Sequence, residues 1–386
     1  MEKKKNRVFE GFGLYIHFPF CIKKCSYCDF VSYQFHKELS QKYFLYLKRE
    51  VELFLEKFPK ESIKRVQTIY IGGGTPSLIE AEQLSNFLSF LKCHFDLSNL
   101  KEFTIEANPE SIEKEKFKAF KTLKINRVSI GVQSFNDETL KILGRVHDSK
   151  TAIAKFELLR SLGFDNINID LIFALPNESF DTEINSLKKA ISLKPEHISY
   201  YALMLERGTP LNRMKRKFKF PDEETWLNEY KYGERLLEDN GYIHYEISNY
   251  ARKSFECVHN ISYWRSFPYL GFGISGGGFY NSIRYVNVRS FEKYFKRLDE
   301  GKLPYSFRKK LSALELKSEF IFMGLRLLEG VYFDDYYYRF GSFLLEDFKE
   351  NIEKLSNLNL LKVLKDKIAL TEKGVQYANV VFREFI

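Results

Sequence analysis

The chain has 386 residues, 44% of them hydrophobic, with a net charge of +9 and a pI near 9.0. That length supports one large domain with an appendage or two domains, and the composition excludes a disordered chain. No run of 18 apolar residues exists, which excludes a membrane-spanning helix, and "MEKKKNRVFEGFG" lacks the apolar stretch of a secretory signal. Three of the five cysteines are clustered, while Cys93 and Cys257 stand alone. This is not a disulfide framework, so a reducing, cytoplasmic location is expected. The basic balance raises nucleic acid as a partner. The charges are mostly interspersed, however, and the densest run, "RMKRKFKF" (213–220), reads as a solvated loop rather than an anion-docking surface.

Six apolar runs are the candidate strands: 14–18, 68–73, 102–107, 127–133, 166–174 and 197–205. They are rich in Ile, Val, Tyr and Phe, and most lack clean alternation, as buried parallel strands do. Amphipathic stretches lie between them. "KYFLYLKREVELFLEKF" carries apolar residues at three- and four-residue spacing, "SIEKEKFKAFKTL" opens on Ser111 as a helix start, and "SKTAIAKFELLRSLGF" stops at Gly163. Six βα units predict an α/β fold, a partial (β/α)6 barrel of the TIM type that does not fully close. The polar or glycine-rich strand ends support this. "GGGTP" (72–76), Glu106 with Asn108, Gln133, Asp170 and Glu206 all fall where such barrels build their reacting face.

After about residue 240 the pattern changes. Residues 241–305 are aromatic, glycine-rich and read as irregular. From 306 to 386 the outline is helix, helix, then a hairpin turning at Asp366-Lys367, as in an α+β winged helix. From Leu311 onward there are 10 Lys/Arg and 12 Asp/Glu, so 10 − 12 = −2. A DNA reader needs a positive face, so this part reads as a packing or docking module and no DNA or RNA partner is expected. The expected division is therefore 1–240, 241–305 and 306–386.

The chemistry concentrates in "YIHFPFCIKKCSYCDF" (15–30), where Cys21, Cys25 and Cys28 have the spacing C-x3-C-x2-C. Structural zinc takes four ligands, and only His17 stands near enough to be a fourth. A dithiol site at Cys25 and Cys28 would leave Cys21 idle. Three thiolates on a [4Fe–4S] cluster leave one iron open, which is what a site needs when a small molecule must coordinate there.

C-x3-C-x2-C with an aromatic residue (Tyr27) before the third cysteine resembles the signature of the radical S-adenosylmethionine (SAM) family. The resemblance extends through "IYIGGGTPSLI", "FTIEANPES", "RVSIGVQSF", "LGRVH", "NINIDLIFALP", "YYALMLERGTPL", "YEISNYA" and "HNISYW" into the C-terminal part. It is similar to the HemN/HemW branch, which holds the oxygen-independent coproporphyrinogen III oxidases and the haem chaperones. The resemblance implies the partial barrel, with the cluster at its mouth. It implies SAM chelating the open iron, where one electron breaks a carbon–sulfur bond. It also implies that Tyr15 and Tyr27 flank the cofactor, that Gly73, Gly74 and Thr75 meet its amino-acid end, and that Glu106 meets its cationic region. Gln133, Arg145 and Asp170 would line a second cofactor position. An internal ion pair is the competing reading of Arg145 and Asp170.

Two features separate the branches. Phe30 stands where the oxidase branch has a further cysteine, and "HNISYW" (259–264) matches the HNxxYW pattern of the HemW side. The expected function is a HemW-like haem chaperone that passes haem to an acceptor protein and needs a reductant protein for its cluster. Peripheral membrane contact is a further expectation. The alternative is a radical SAM enzyme, either a coproporphyrinogen III oxidase or a methyltransferase, with the oxidase disfavoured by Phe30. His259, Tyr263 and Trp264 are the haem candidates, with Cys257 as another ligand. The competing reading makes them a packed aromatic corner. "ISGGG" (274–278) lacks the histidine that relatives carry, though its glycines suit close approach to a cofactor or substrate.

Overall fold

A computed structural model describes residues 11–58 and 65–386. The first ten residues, most of the stretch expected not to be a secretory signal, lie outside that range. Six strands follow one another in sequence and in space: β1 (Phe12–Phe18), β2 (Val66–Gly73), β3 (Glu102–Ala107), β4 (Arg127–Gln133), β5 (Ile167–Phe173) and β6 (His197–Ala202). All pair in parallel, for example Leu14 with Ile69, Ile69 with Phe103 and Ile169 with Ile198. The sixth run stops at Ala202, three residues earlier than the apolar composition predicts, which leaves Glu206 in the loop after the strand and outside the cavity lined by the cysteines.

Residues 241–305 do not stay irregular. β7 (Ile243–Glu246) and β8 (Asn249–Ala251) form a hairpin whose β8 pairs antiparallel with β6. β9 (Tyr269–Phe272) pairs parallel with β1, and β10 (Gly277–Tyr280), β11 (Ile283–Asn287) and β12 (Tyr305–Lys310) continue antiparallel beyond it. The result is one twelve-stranded sheet with two ends, β12 and β7. The glycines that read as loop let strands pack: a Cβ on Gly278 would stand 2.2 Å from the Tyr285 ring. They make room for this chain's own side chains.

Helices cover the outer face. Lys37–Lys57 buries Tyr43, Phe44, Leu47, Val51 and Phe54, the three- and four-residue rhythm of an amphipathic helix. Its Glu50, 1% exposed, accepts from Gly273 N (2.8 Å), Tyr294 Oη (2.6 Å) and Asn287 Nδ2 (2.6 Å). One carboxylate thus ties the helix after β1 to the segment that extends the sheet. The next expected helix starts at Lys114, not at Ser111. The Ser111 hydroxyl instead donates to Asn108 O at 2.7 Å within a short 3-10 turn.

The C-terminal part has its own core around Ile321, Leu325, Tyr336, Leu355, Ile368 and Val381. A small sheet joins β13 (Val331–Tyr332), β14 (Leu361–Val363) and β15 (Lys367–Leu370), with β15 in the middle. The hairpin turns one residue earlier than expected, because Lys367 already pairs with Tyr332. This part docks on the end of β7. Ile247 N donates to Arg326 O (3.2 Å), Leu328 N to Tyr245 O (3.1 Å), and Arg265 pairs with Glu329 at 2.7 Å. Among the described residues no helix is long and apolar enough to cross a membrane. The basic run 213–220 is a mostly exposed loop with one 3-10 turn.

Candidate functional site

The parallel strands carry polar residues on one face and apolar residues on the other. On β4, Arg127, Ser129, Gly131 and Gln133 line a cavity of about 320 Å³, while Val128, Ile130 and Val132 belong to the outer core. On β5, Asn168 and Asp170 line it; on β6, Ser199 and Tyr201 do. Strand geometry alone puts every second side chain there. The alternation that the sequence seemed to lack is therefore present, with the polar half facing the cavity.

Cys21, Cys25 and Cys28 form one rim of this cavity, all as free, half-buried thiols. The loop bearing them is clamped from two sides. Ser26 N and Oγ donate to Leu143 O (2.9 Å) and Ile142 O (2.8 Å), and Leu211 N donates to Ser26 O (2.8 Å). The "GGGTP" turn holds its entry: Gly74 N bonds Phe18 O at 2.8 Å and Thr75 N bonds Phe20 O at 2.7 Å. Gly73 has φ +110°, and a Cβ there would lie 2.5 Å from the His17 ring. A Cβ on Gly74 would meet Phe20 O at 2.5 Å. These glycines are required by the crossing of the cysteine segment itself, before any cofactor is considered.

Glu106 closes the next side. Its Oε1 accepts from Tyr70 Oη at 2.8 Å and its Oε2 from Gly73 N at 3.0 Å. Burial pushes its carboxyl up to about 7, against the pull of the Tyr70 hydrogen bond. Arg145 spans the floor between the thiols and the strand ends. Its Nη1 donates to Cys25 Sγ (3.3 Å), and its Nη2 to Asn108 Oδ1 (2.7 Å) and Gly131 O (2.5 Å). Gln133 sits at a β-bulge with φ +72°, and its Oε1 accepts from Tyr201 Oη at 3.0 Å. A non-glycine residue held in that region marks local strain of the kind found at binding sites. Asp170 accepts from Asn168 Nδ2 at 2.6 Å and Ser129 Oγ at 3.3 Å, and burial raises its pKa. Among the described residues no ion pair joins Arg145 to Asp170, so the internal-pair reading of these two does not hold.

Tyr27 also lines the cavity. Tyr15 stands behind the wall, its hydroxyl 3.0 Å from His17 Nδ1. Thr75 is buried, accepts from Asn108 Nδ2 at 2.9 Å and sits beside the Cys21 thiol. Burial raises the Cys21 thiol and pushes Cys28 up to about 11, so both are held as thiols that must lose a proton when a metal binds. No three histidine, cysteine or acidic groups among the described residues converge on one point, as a single ion needs. Thiols spaced along a rim beside a guanidinium instead suit a multi-iron cluster, one thiolate per iron.

The haem candidates fall elsewhere. His259, in the helix Val258–Trp264, is fully buried and stacks on Tyr70 at 5.2 Å. Its Nδ1 is 2.7 Å from Thr68 Oγ1 and its Nε2 2.6 Å from Tyr263 Oη. Neither ring nitrogen is available to a metal, and burial with the nearby Arg127 charge lowers its pKa to about 3. Cys257 is also fully buried, with its thiol on Glu102 (3.4 Å) and raised by burial. The motif is a packed corner in this fold. Trp264 offers its ring to the Arg326 guanidinium, 4.2 Å away. Residues 274–278 do not reach the cavity. What sequence reasoning missed is the inner polar layer of Tyr70, Arg127, Ser129, Asn168 and Tyr201, around the expected Asn108. Their every-second-residue spacing was the available signal.

Two family models match: the radical SAM superfamily over residues 15–190, and the HemN C-terminal domain over residues 311–377. The chain is 36% identical to the heme chaperone HemW of Lactococcus lactis subsp. lactis (strain IL1403), covering 96% of each. It is 34% identical to that of Bacillus subtilis (strain 168), over 96% of this chain and 98% of that protein. It is 31% identical to that of Escherichia coli (strain K12), over 97% and 98%. The fold matches the structure of the Escherichia coli coproporphyrinogen III oxidase HemN with a TM-score of 0.84 at 23% identity, over 98% of this chain and 91% of that one. With identity sustained along the whole chain and the cysteine rim in place, the chain belongs to the HemW family within the radical SAM superfamily.

Proposed function

We propose that this chain is a haem chaperone that carries a [4Fe–4S] cluster and SAM and hands haem to an acceptor protein. The observation that carries this reading is Phe30. It is 58% exposed beside the cluster rim, at the position where the resemblance to the oxidase branch would place a further cysteine. An exposed aromatic face there suits an apolar cargo better than a further redox ligand.

Cys21, Cys25 and Cys28 would hold the cluster, and Arg145 would steady the thiolate of Cys25. When bound, the cluster supplies one electron and one open iron position. Glu106 is set to meet a cationic group, with Tyr70 and Gly73 N fixing its oxygens. Gln133, Arg145 and Asp170 offer an amide, a guanidinium and a carboxylate to a second polar ligand. The barrel segment 1–240 would serve the cofactors, 241–305 would brace them, and 306–386 would face the cargo or its acceptor. The partners we infer are the haem-accepting protein and a reductant protein, met in the cytoplasm.

Titrating the cluster-loaded protein with haem tests this reading. A saturable Soret band with near-stoichiometric binding is expected. Its absence, or vinyl-bearing product from coproporphyrinogen III under anaerobic reduction, would overturn it in favour of an enzyme.

A further inference from the structure

A second cavity, about 760 Å³, lies between the C-terminal ends of β5 and β6 and the C-terminal part of the chain. It shares Tyr27, Cys28, Phe30, Tyr201 and Ser248 with the cluster cavity, so the two are neighbours through one wall. Its volume is in the range of sites that hold one organic ligand, about 300–1,000 Å³. Its walls are flat and aromatic: Tyr200, Tyr201, Trp226 and Tyr230 on one side, Tyr377 and Phe382 on the other. Its mouth keeps four apolar side chains in water, Phe30 (58% exposed), Met204 (63%), Val380 (44%) and Tyr377 (38%). Clustered exposure of that kind marks a binding surface.

One charge sits in this apolar setting without a counter-ion. Arg326 lines the cavity, its guanidinium stands 4.2 Å from the Trp264 ring centroid and 5.7 Å from that of Phe382, and its buried Nε has no partner. Among the described residues its side chain makes no hydrogen bond and no ion pair within 4.0 Å. The acid it feels most, Glu246, is buried; its Oε1 accepts from Ser248 N and Asn249 Nδ2, its Oε2 has no partner, and it stands more than 4.0 Å from the guanidinium. Burial lowers the Arg326 pKa, which is the cost an incoming carboxylate would offset. The acids of the wall, Asp29 and Glu206, belong to the cysteine loop and the loop after β6. The cavity is therefore polarised, with its cation on the C-terminal side.

We infer that this cavity is the seat of the haem cargo, with Arg326 pairing a propionate and Trp264 acting as a positioning residue behind it. The assignment rests on the chaperone reading above and moves the cargo from the HNxxYW residues to the cavity whose Arg326 is backed by their Trp264. A flat, apolar ring with carboxylates on one edge matches aromatic walls with a guanidinium at one end. The macrocycle would lie against Phe30 and Tyr201, beside the cluster rim but outside the cofactor cavity.

The test uses the full-length, cluster-loaded protein, titrated with ferric haem and with haem dimethyl ester while the Soret band is followed. On the wild type the ester is expected to bind about 10- to 100-fold more weakly, the loss of a charge-assisted pair. Arg326→Gln should weaken haem by a similar factor and leave the ester unchanged. Val380→Trp, which fills the mouth, should weaken both. Iron and sulfide content and melting temperature show that each variant is folded. If haem and its ester bind the wild type equally, or if folded Arg326→Gln and Val380→Trp bind haem as the wild type does, the seat is elsewhere. If the wild type shows no saturable band at all, the chaperone reading itself fails.

Discussion

His259 and Tyr263 satisfy each other: Nε2 lies 2.6 Å from the tyrosine hydroxyl, one helical turn away, while Nδ1 is held by Thr68 on β2. Helical spacing makes the first contact and burial makes it durable, since an unbonded ring nitrogen there would be costly. The pair locks the helix Val258–Trp264 onto the barrel and so fixes where Trp264 presents its ring.

His259→Ala should therefore act on stability. We expect a loss of about 2–4 kcal/mol from the cavity and the orphaned Thr68 and Tyr263 hydroxyls. Denaturant unfolding measures this. The Soret position of any folded fraction should match the wild type; a shifted or absent band at intact fold would make His259 an iron ligand.

Cys21→Ala should abolish the cluster. Two thiolates cannot hold a cubane that leaves a further iron open. Iron and sulfide analysis after anaerobic reconstitution checks this, and wild-type content in the variant would refute the assignment.

Glu106→Gln should weaken SAM binding by about 10- to 100-fold, because a cationic group would lose its carboxylate. The carboxyl titrates near 7, so wild-type affinity should rise as pH climbs through that value. Equilibrium dialysis from pH 6 to 8 reads both effects, and the glutamine variant should show a flat profile.

Glu50 predicts a pH-dependent stability of opposite sense to a salt-bridged acid. Burial pushes its folded pKa from 4.5 to about 7, although Tyr294, Gly273 and Asn287 pull it down. Between those values the folded chain keeps a proton that the unfolded chain has lost. Its contribution is thus fully present below about 4.5 and is lost as pH rises to about 7, by about 3 kcal/mol in all. Urea unfolding of Glu50→Gln against wild type should isolate this slope; parallel pH profiles would contradict it.

Gly73→Ala should cost about 2–3 kcal/mol through its positive φ and the clash with the His17 ring. The double variant with His17→Ala should recover the clash and not the backbone strain. Thermal unfolding of the four-member cycle measures the coupling, and additive losses would mean that the two residues do not meet.

The chain's sequence determined the chemistry of its cysteine loop and the order of its parallel strands. C-x3-C-x2-C states a ligand count directly, and Ile- and Val-rich runs between amphipathic helices state a βα repeat, because both signals are local. Only the tertiary structure decided which face each strand turns inward. Arg127 and Ser129 gain a role only when the cavity gives them a surface to line beside the expected Gln133. It also decided that residues 241–305 extend the sheet, since Tyr269–Phe272 finds its partner in β1, over 250 residues earlier in the chain. Most of all, it decided the meaning of "HNISYW". A histidine and two aromatic residues carry the same letters whether they hold a metal or pack a corner. Burial of His259, its bond to Thr68 from a strand far away in sequence and its bond to Tyr263 one turn on pack the histidine into a corner, while Arg326 lines the neighbouring cavity.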